Sequence, residues 1–153
     1  MDTLKQHTAD DTSTQELARL FALQRATHLT QGAPSAELRI DRLNRCIALL
    51  KENADLIETT ISADFGNRSR HASGITDVMS PIEALKHSRD KLKKSMRPER
   101  RSVEPFPLGL LGARSEIRLQ PKGVIGILSP WNFPVGLVFS PLAGVLAAAC
   151  AGS

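Results

Sequence analysis

The sequence predicts an α/β chain in which helical segments lead into two strands, a sharp corner and a final helix around an incomplete sheet. Three observations carry this reading. Apolar residues recur at helical spacing through the first 97 positions, while Val124 to Leu128 is an unbroken run of strand formers. Ser129-Pro130-Trp131-Asn132-Phe133-Pro134 then turns the chain into a long uncharged segment whose length suits a buried helix. A strand, a corner and a helix form the unit that places ligands at the carboxyl end of a parallel strand and at a helix N-terminus.

At 153 residues the chain is long enough for one compact domain. Its 41% hydrophobic and 24% charged content is that of an ordinary globular protein, although aromatics are sparse and tyrosine is absent. A net charge of +4 is too modest to mark a nucleic-acid binder. The polar stretch from Met1 to Glu16 lacks the basic start and apolar middle of a signal peptide. Two distant cysteines, Cys46 and Cys150, suggest neither a disulfide framework nor a metal cage, so a reducing cytoplasm is the expected setting.

Residues 1–12 read as a disordered lead-in, and 13–97 as a helical region. Ser13-Thr14-Gln15-Glu16 forms a capping box for a helix to about Thr30, with Leu17, Leu20, Phe21 and Leu23 on its apolar face. Gln31-Gly32-Ala33-Pro34 breaks it. Ser35 caps a second helix in which Leu38, Leu43, Ile47 and Leu50 face the core, while Arg39, Arg42, Arg45 and Lys51 face water. Asn53 starts a third helix, carrying Leu56, Ile57 and Ile61 and stopping at Gly66. Residues 67–74 read as a polar loop. A fourth helix is expected from Ile75 to Met96, with Pro81 near its start or at a kink. Its basic second half, from Lys86 to Arg97, is a solvated face without the interleaved aromatics of a nucleic-acid surface.

Prolines and glycines between 98 and 113 mark an extended linker. Residues 114–120 alternate polar and apolar, as in a strand with one buried face. Val124 to Leu128, by contrast, is apolar enough to be buried on both faces. Pro134 fits the first turn of the helix that follows.

The text from Pro121 to Pro134, Pro-Lys-Gly-Val-Ile-Gly-Ile-Leu-Ser-Pro-Trp-Asn-Phe-Pro, strongly resembles a signature of the aldehyde dehydrogenase superfamily, and Pro141 to Ala148 fits the same family. Asp64-Phe65-Gly66-Asn67-Arg68-Ser69 and the stretch from Leu92 to Arg100 look like its coniferyl aldehyde dehydrogenase branch. The resemblance implies that 114–153 holds an oligomerisation-type strand and then the first strand, corner and helix of a Rossmann-like cofactor domain. It implies NAD or NADP as cofactor, an aldehyde as substrate, and association of copies through strand 114–120. The implied site residues are Asn132, whose amide would donate to the oxyanion of a thiohemiacetal, and Leu128, Ser129, Pro130 and Trp131, which would line the nicotinamide side of the cofactor cleft.

The residues by themselves leave a second reading of Asn132, as the cap of the helix near Pro134, because Asn is a leading cap residue. Trp131 could equally be a core aromatic and Pro130 a turn former. Gly123-x-x-Gly126 lies inside a strand and is no phosphate cradle. The family's nucleophilic Cys, its Glu base and its ribose-contacting residues fall beyond the matched stretch. Cys46 and Cys150 lack the neighbouring base or cation that makes a thiolate, and read as small buried hydrophobes. The expectation is a truncated N-terminal third, inactive alone. Two alternatives were open: an interaction remnant pairing with an intact relative, and a tail anchor over Val135 to Ala151. The anchor is opposed by Pro141 and by a length short of the ~20 apolar residues a span needs.

Overall fold

Leu43, Ile47 and Leu50 line up on one face of a helix because they recur at intervals of three and four, and they meet Val78, Ile82, Leu85, Leu92 and Ala143 in one buried cluster. This computed structural model describes residues 6–148 and 151–152, of which 6–13 and 151–152 are described as backbone alone. Three helices build the core: α2 (Ala36–Glu52), α5 (Ser80–Ser95) and α7 (Gly136–Ala147). Each fully buried leucine contributes about 1.5–3 kcal/mol by leaving water.

Helix α1 (Gln6–Gln31) begins ahead of the predicted Ser13 box, so the helix already includes 6–12, which the sequence assigned to a disordered lead-in. The Glu16 carboxylate accepts from the Arg19 guanidinium at 2.7 Å. Gly32, at φ +67, ends the helix as predicted. The apolar face is another matter: Leu17, Phe21, Leu23 and Leu29 are exposed because nothing in the described chain packs over them.

Helix α2 opens where expected, with the Ser35 hydroxyl accepting from the Leu38 N–H at 3.3 Å. Arg39 corrects the solvent-facing prediction. It is only 8% exposed, because its guanidinium donates to the carbonyls of Pro34 at 2.9 Å and Ala147 at 3.2 Å, tying the start of α2 to the end of α7. Helix α3 (Ala54–Asp64) ends at Gly66 and Asn67, both at positive φ, with the Asn67 N–H returning to the Ser62 carbonyl.

The predicted loop over 67–74 is shorter. Helix α4 (Arg70–Ser73) starts after the Ser69 cap and runs through a π-helical segment, Gly74–Met79, into α5. The widened register suits the proline that follows. Pro81 has no N–H to give, and a looser turn relieves its ring of the preceding carbonyl. The consequence is spatial: the π segment turns Thr76 and Asp77 toward the N-terminus of α7.

Residues 98–113 are not a plain linker. They contain β1 (Glu99–Arg101) and α6 (Phe106–Leu110), and β1 pairs antiparallel with β2 (Ser115–Ile117), Arg100 opposite Glu116. Every residue of β2 is exposed, against the expectation of one buried face, because no other element of the described chain covers this hairpin.

The strand expected to be buried on both faces is β3 (Val124–Ile125), and it is half-buried. Its partner is β4 (Ala151–Gly152), in parallel register with Val124 opposite Ala151. A parallel strand is enclosed only by neighbours on both edges and helices on both faces. Two strands supply neither, so Leu128 stands fully exposed. Helix α7 keeps Ala143 and Val145 buried, carries Pro141 within it, and is 12 residues long. No helix among the described residues is long and apolar enough to cross a membrane.

Candidate active-site corner

Between β3 and α7 the chain makes a corner, and the five residues singled out by sequence stand together along it. Leu128, Pro130, Trp131 and Asn132 are exposed, Trp131 to 84%, and half-buried Ser129 donates its hydroxyl to the Pro130 carbonyl at 3.1 Å. This is an uncharged, largely apolar wall with one amide at its end.

The predicted alternative role of Asn132, capping α7, is taken by another residue. Asp77 Oδ1 accepts from the backbone N–H groups of Val135 at 3.1 Å and Gly136 at 3.0 Å. Asp77 is fully buried, and a carboxylate at a helix N-terminus satisfies orphan donors and meets the positive end of the macrodipole. Among the described residues, no hydrogen bond engages the Asn132 side-chain amide. The backbone carbonyl oxygen of Asn132 accepts from Arg68 Nη1 at 2.7 Å.

Arg68 and Asp77 are the residues the sequence reading missed as parts of this site. Arg68 lies over the rings of Phe65, at 5.3 Å, and Phe133, at 4.7 Å. Its Nη2 donates to Thr76 Oγ1 at 3.4 Å and stands 3.8 Å from Asp77 Oδ2, while the Thr76 hydroxyl donates to that same carboxylate oxygen at 2.8 Å. A continuous chain of contacts therefore links Arg68, Thr76 and Asp77 to the first turn of α7. Gly136 lets it close: a Cβ there would overlap the Thr76 carbonyl oxygen. The available sequence signals were an acid inside the apolar run Ile75-Thr76-Asp77-Val78-Met79, and Arg68 in a patch already marked by resemblance.

A cavity of about 710 Å³ opens at the opposite end of α7, against His28, Arg39, His87, Lys91 and Gly144, and shares no lining residue with the corner. Cys46 is half-buried beside the core, and burial pushes its thiol up despite the adjacent Arg45 guanidinium. That environment disfavours the thiolate, the nucleophilic form. Cys150, assigned the same bland role by sequence, lies outside the described residues.

A short parallel strand, a corner with an unengaged amide, and a helix capped from a neighbouring element define the ligand-placing unit of an α/β nucleotide-binding architecture. Comparison with known proteins makes this specific. The chain belongs to the aldehyde dehydrogenase family, whose profile matches residues 6–152. It is 53% identical over 125 residues to a probable coniferyl aldehyde dehydrogenase of Caulobacter vibrioides, an alignment covering 82% of this chain and 26% of that protein. It is 43% identical over 134 residues to a coniferyl aldehyde dehydrogenase of a Pseudomonas species, covering 88% of this chain and 27% of the relative. Among solved structures, an AldH of Staphylococcus aureus in a substrate-bound state superposes with a TM-score of 0.79 at 24% identity, over 89% of this chain and 29% of that one. A Physcomitrella patens aldehyde dehydrogenase holding its product succinate gives 0.77 at 20% identity, over 90% and 28%. These two likenesses concern the fold. The chain spans about a quarter of the length of the curated relatives it matches.

Proposed function

We propose that this chain supplies one wall of the catalytic cleft of an NAD(P)-dependent aldehyde dehydrogenase acting on an aromatic, coniferyl-type aldehyde. The observation that supports it most is the Asn132 amide, relieved of capping by Asp77 and held at the mouth of the corner by Arg68. The substrate class follows the names of the two bacterial relatives.

In this reading a thiolate from outside the chain attacks the aldehyde carbon. The new C–S bond forms as the C=O π pair moves onto oxygen, and the Asn132 side-chain N–H donates to that oxyanion. A fixed donor stabilises the developing charge more than the starting carbonyl, by a factor on the order of 10²–10³ in rate. Leu128, Ser129, Pro130 and Trp131 present an uncharged surface that fits the flat face of a nicotinamide. Bound there, NAD or NADP would take the hydride released when the oxyanion collapses to a thioester. No glycine-rich phosphate turn stands among the described residues, so this wall holds the nicotinamide end alone.

The chain by itself, lacking the thiolate, turns over nothing. Incubated with coniferyl-type aldehyde and either cofactor it yields no reduced nicotinamide; robust turnover refutes the reading. Residues 1–148 fused to the remainder of the Caulobacter vibrioides relative restore oxidation, and Asn132→Ala in that fusion lowers kcat by about 10²–10³ with KM little changed. A fusion in which N132A is as active as its parent removes Asn132 from the chemistry.

A second role is supported by the bare hairpin. The β1–β2 ladder and the exposed Phe106, Leu110 and Leu111 beside it present an unpaired edge and apolar surface, which favour pairing with a second copy or an intact relative through residues 114–120. Copurification with a full-length aldehyde dehydrogenase, abolished by proline at Glu116, tests it.

A further inference from the structure

We propose that Arg68 is a positioning residue for the Asn132 amide, holding the corner in the one orientation that points the donor out of the protein. The proposal rests on the oxyanion reading of Asn132 for its purpose, and on the contacts of Arg68 for its mechanism.

Those contacts are more than a surface ion pair provides. The guanidinium carbon lies 5.3 Å from the ring centre of Phe65, at the end of α3, and 4.7 Å from that of Phe133 in the corner itself. One nitrogen donates to the Asn132 backbone carbonyl oxygen at 2.7 Å; the other reaches Thr76 Oγ1 at 3.4 Å and stands 3.8 Å from Asp77 Oδ2. The side chain is only 17% exposed. Holding the carbonyl oxygen of Asn132 restrains the peptide plane between Asn132 and Phe133, and Phe133 is clamped by the same group. Together these limit ψ of Asn132 and so the direction of its Cα–Cβ bond. Asp77 restrains the chain two residues further on, at Val135 and Gly136. The corner is thus held by Arg68, just after α3, and by Asp77 of the π segment, both distant in sequence, while no hydrogen bond among the described residues engages the Asn132 side-chain amide.

The planar fork is what the arrangement uses: its plane suits the faces of two rings while two separate nitrogens donate to the Asn132 backbone carbonyl and Thr76 Oγ1, whereas an ammonium is a point charge with one nitrogen and no plane. Within the family resemblance, the Asp64–Ser69 patch therefore gains a physical task. It delivers Phe65 and Arg68 to the corner.

The test uses the 153-residue chain and backbone ¹⁵N relaxation. In the parent, Trp131, Asn132 and Phe133 show rigid order parameters of about 0.85. In Arg68→Gln they fall below about 0.6 while far-UV circular dichroism and the order of α7 are retained. Arg68→Lys, which keeps the charge without the fork, gives values between the two. A role confined to gluing helices together lowers the melting temperature and leaves the corner's order unchanged, and that result overturns the proposal. Should the Gln variant lose its helices, the Lys variant decides alone: a corner as rigid as the parent's overturns the proposal, and a loosened one supports it. This outcome is independent of Asn132→Ala turnover in the fusion, so failure of the positioning role and failure of the oxyanion role are told apart.

Discussion

Removing the Asp77 carboxylate should be among the costlier single changes in this chain, although it deletes no apolar surface. In Asp77→Ala the N–H groups of Val135 and Gly136 lose their acceptor. Loss of a side-chain helix cap costs about 0.5–2 kcal/mol, and leaving a buried donor unpaired costs about 1–3 kcal/mol. The Gly136 N–H is buried and bears that penalty in full; half-buried Val135 bears part of it. The Arg68 guanidinium also loses the anion beside it, 3.8 Å away. The two figures describe the same lost bonds and do not add in full, so the cost is about 1.5–4 kcal/mol, set against a total stability of about 5–15 kcal/mol for a domain. With a urea dependence of about 2 kcal/mol per molar, the unfolding midpoint should drop by about 0.75–2 M. Asp77→Asn keeps an acceptor at the position of Oδ1 but loses its charge, and should cost about 1–2 kcal/mol. Urea titrations followed by far-UV circular dichroism measure both. An Asp77→Ala midpoint shift below about 0.5 M would show that the helix start finds other partners and that the cap carries little.

Two glycines of α7 should respond in opposite directions. Gly136→Ala drives a Cβ into the Thr76 carbonyl and costs about 1–3 kcal/mol, whereas Gly144→Ala meets nothing within 4 Å and stabilises by about 0.5–1 kcal/mol, both read from thermal melts. Leu85→Ala, at a fully buried core position, should cost about 2–5 kcal/mol in the same assay. Arg39→Met strands the carbonyls of Pro34 and Ala147, and hydrogen exchange in the last turn of α7 should quicken about tenfold. Burial raises the Cys46 thiol, so its neutral form persists above the ordinary thiol range of about 8.5. Alkylation mapped to the Cys46 peptide should be slow at pH 8 and accelerate only at higher pH. The sign for stability follows: any contribution is complete below the unfolded thiol's pKa and is lost as pH rises through the folded one.

What local chemistry writes into a sequence was legible here. Ser35 before an apolar-periodic run, Gly32 and Gly66 after one, and Leu43, Ile47 and Leu50 of the predicted stripe each concern residues within a turn or two of one another, and each appears in the structure as predicted, whereas Leu38, the first residue of that stripe, is exposed in the first turn of α2. The Pro-Trp-Asn-Phe-Pro corner was equally plain, because its residues are contiguous. The uses of side chains across the fold were not. Arg39 had the spacing of a solvent-facing residue, yet it is buried because Ala147 brings a carbonyl to it from the far end of the chain. Asn132 had the composition of a cap, yet Asp77 caps α7 because a π segment, which no periodicity announces, turns that carboxylate inward. The run from Val124 to Leu128 carries an enclosed strand's composition, but enclosure belongs to a sheet, and two short strands expose it. Sequence alone determined the helix boundaries at Gly32, Ser35 and Gly66 and the place of the corner, since those depend on neighbours along the chain. Tertiary structure alone decided which polar group serves which backbone, since a buried charge is satisfied by whatever the fold places within hydrogen-bond reach, however distant in sequence.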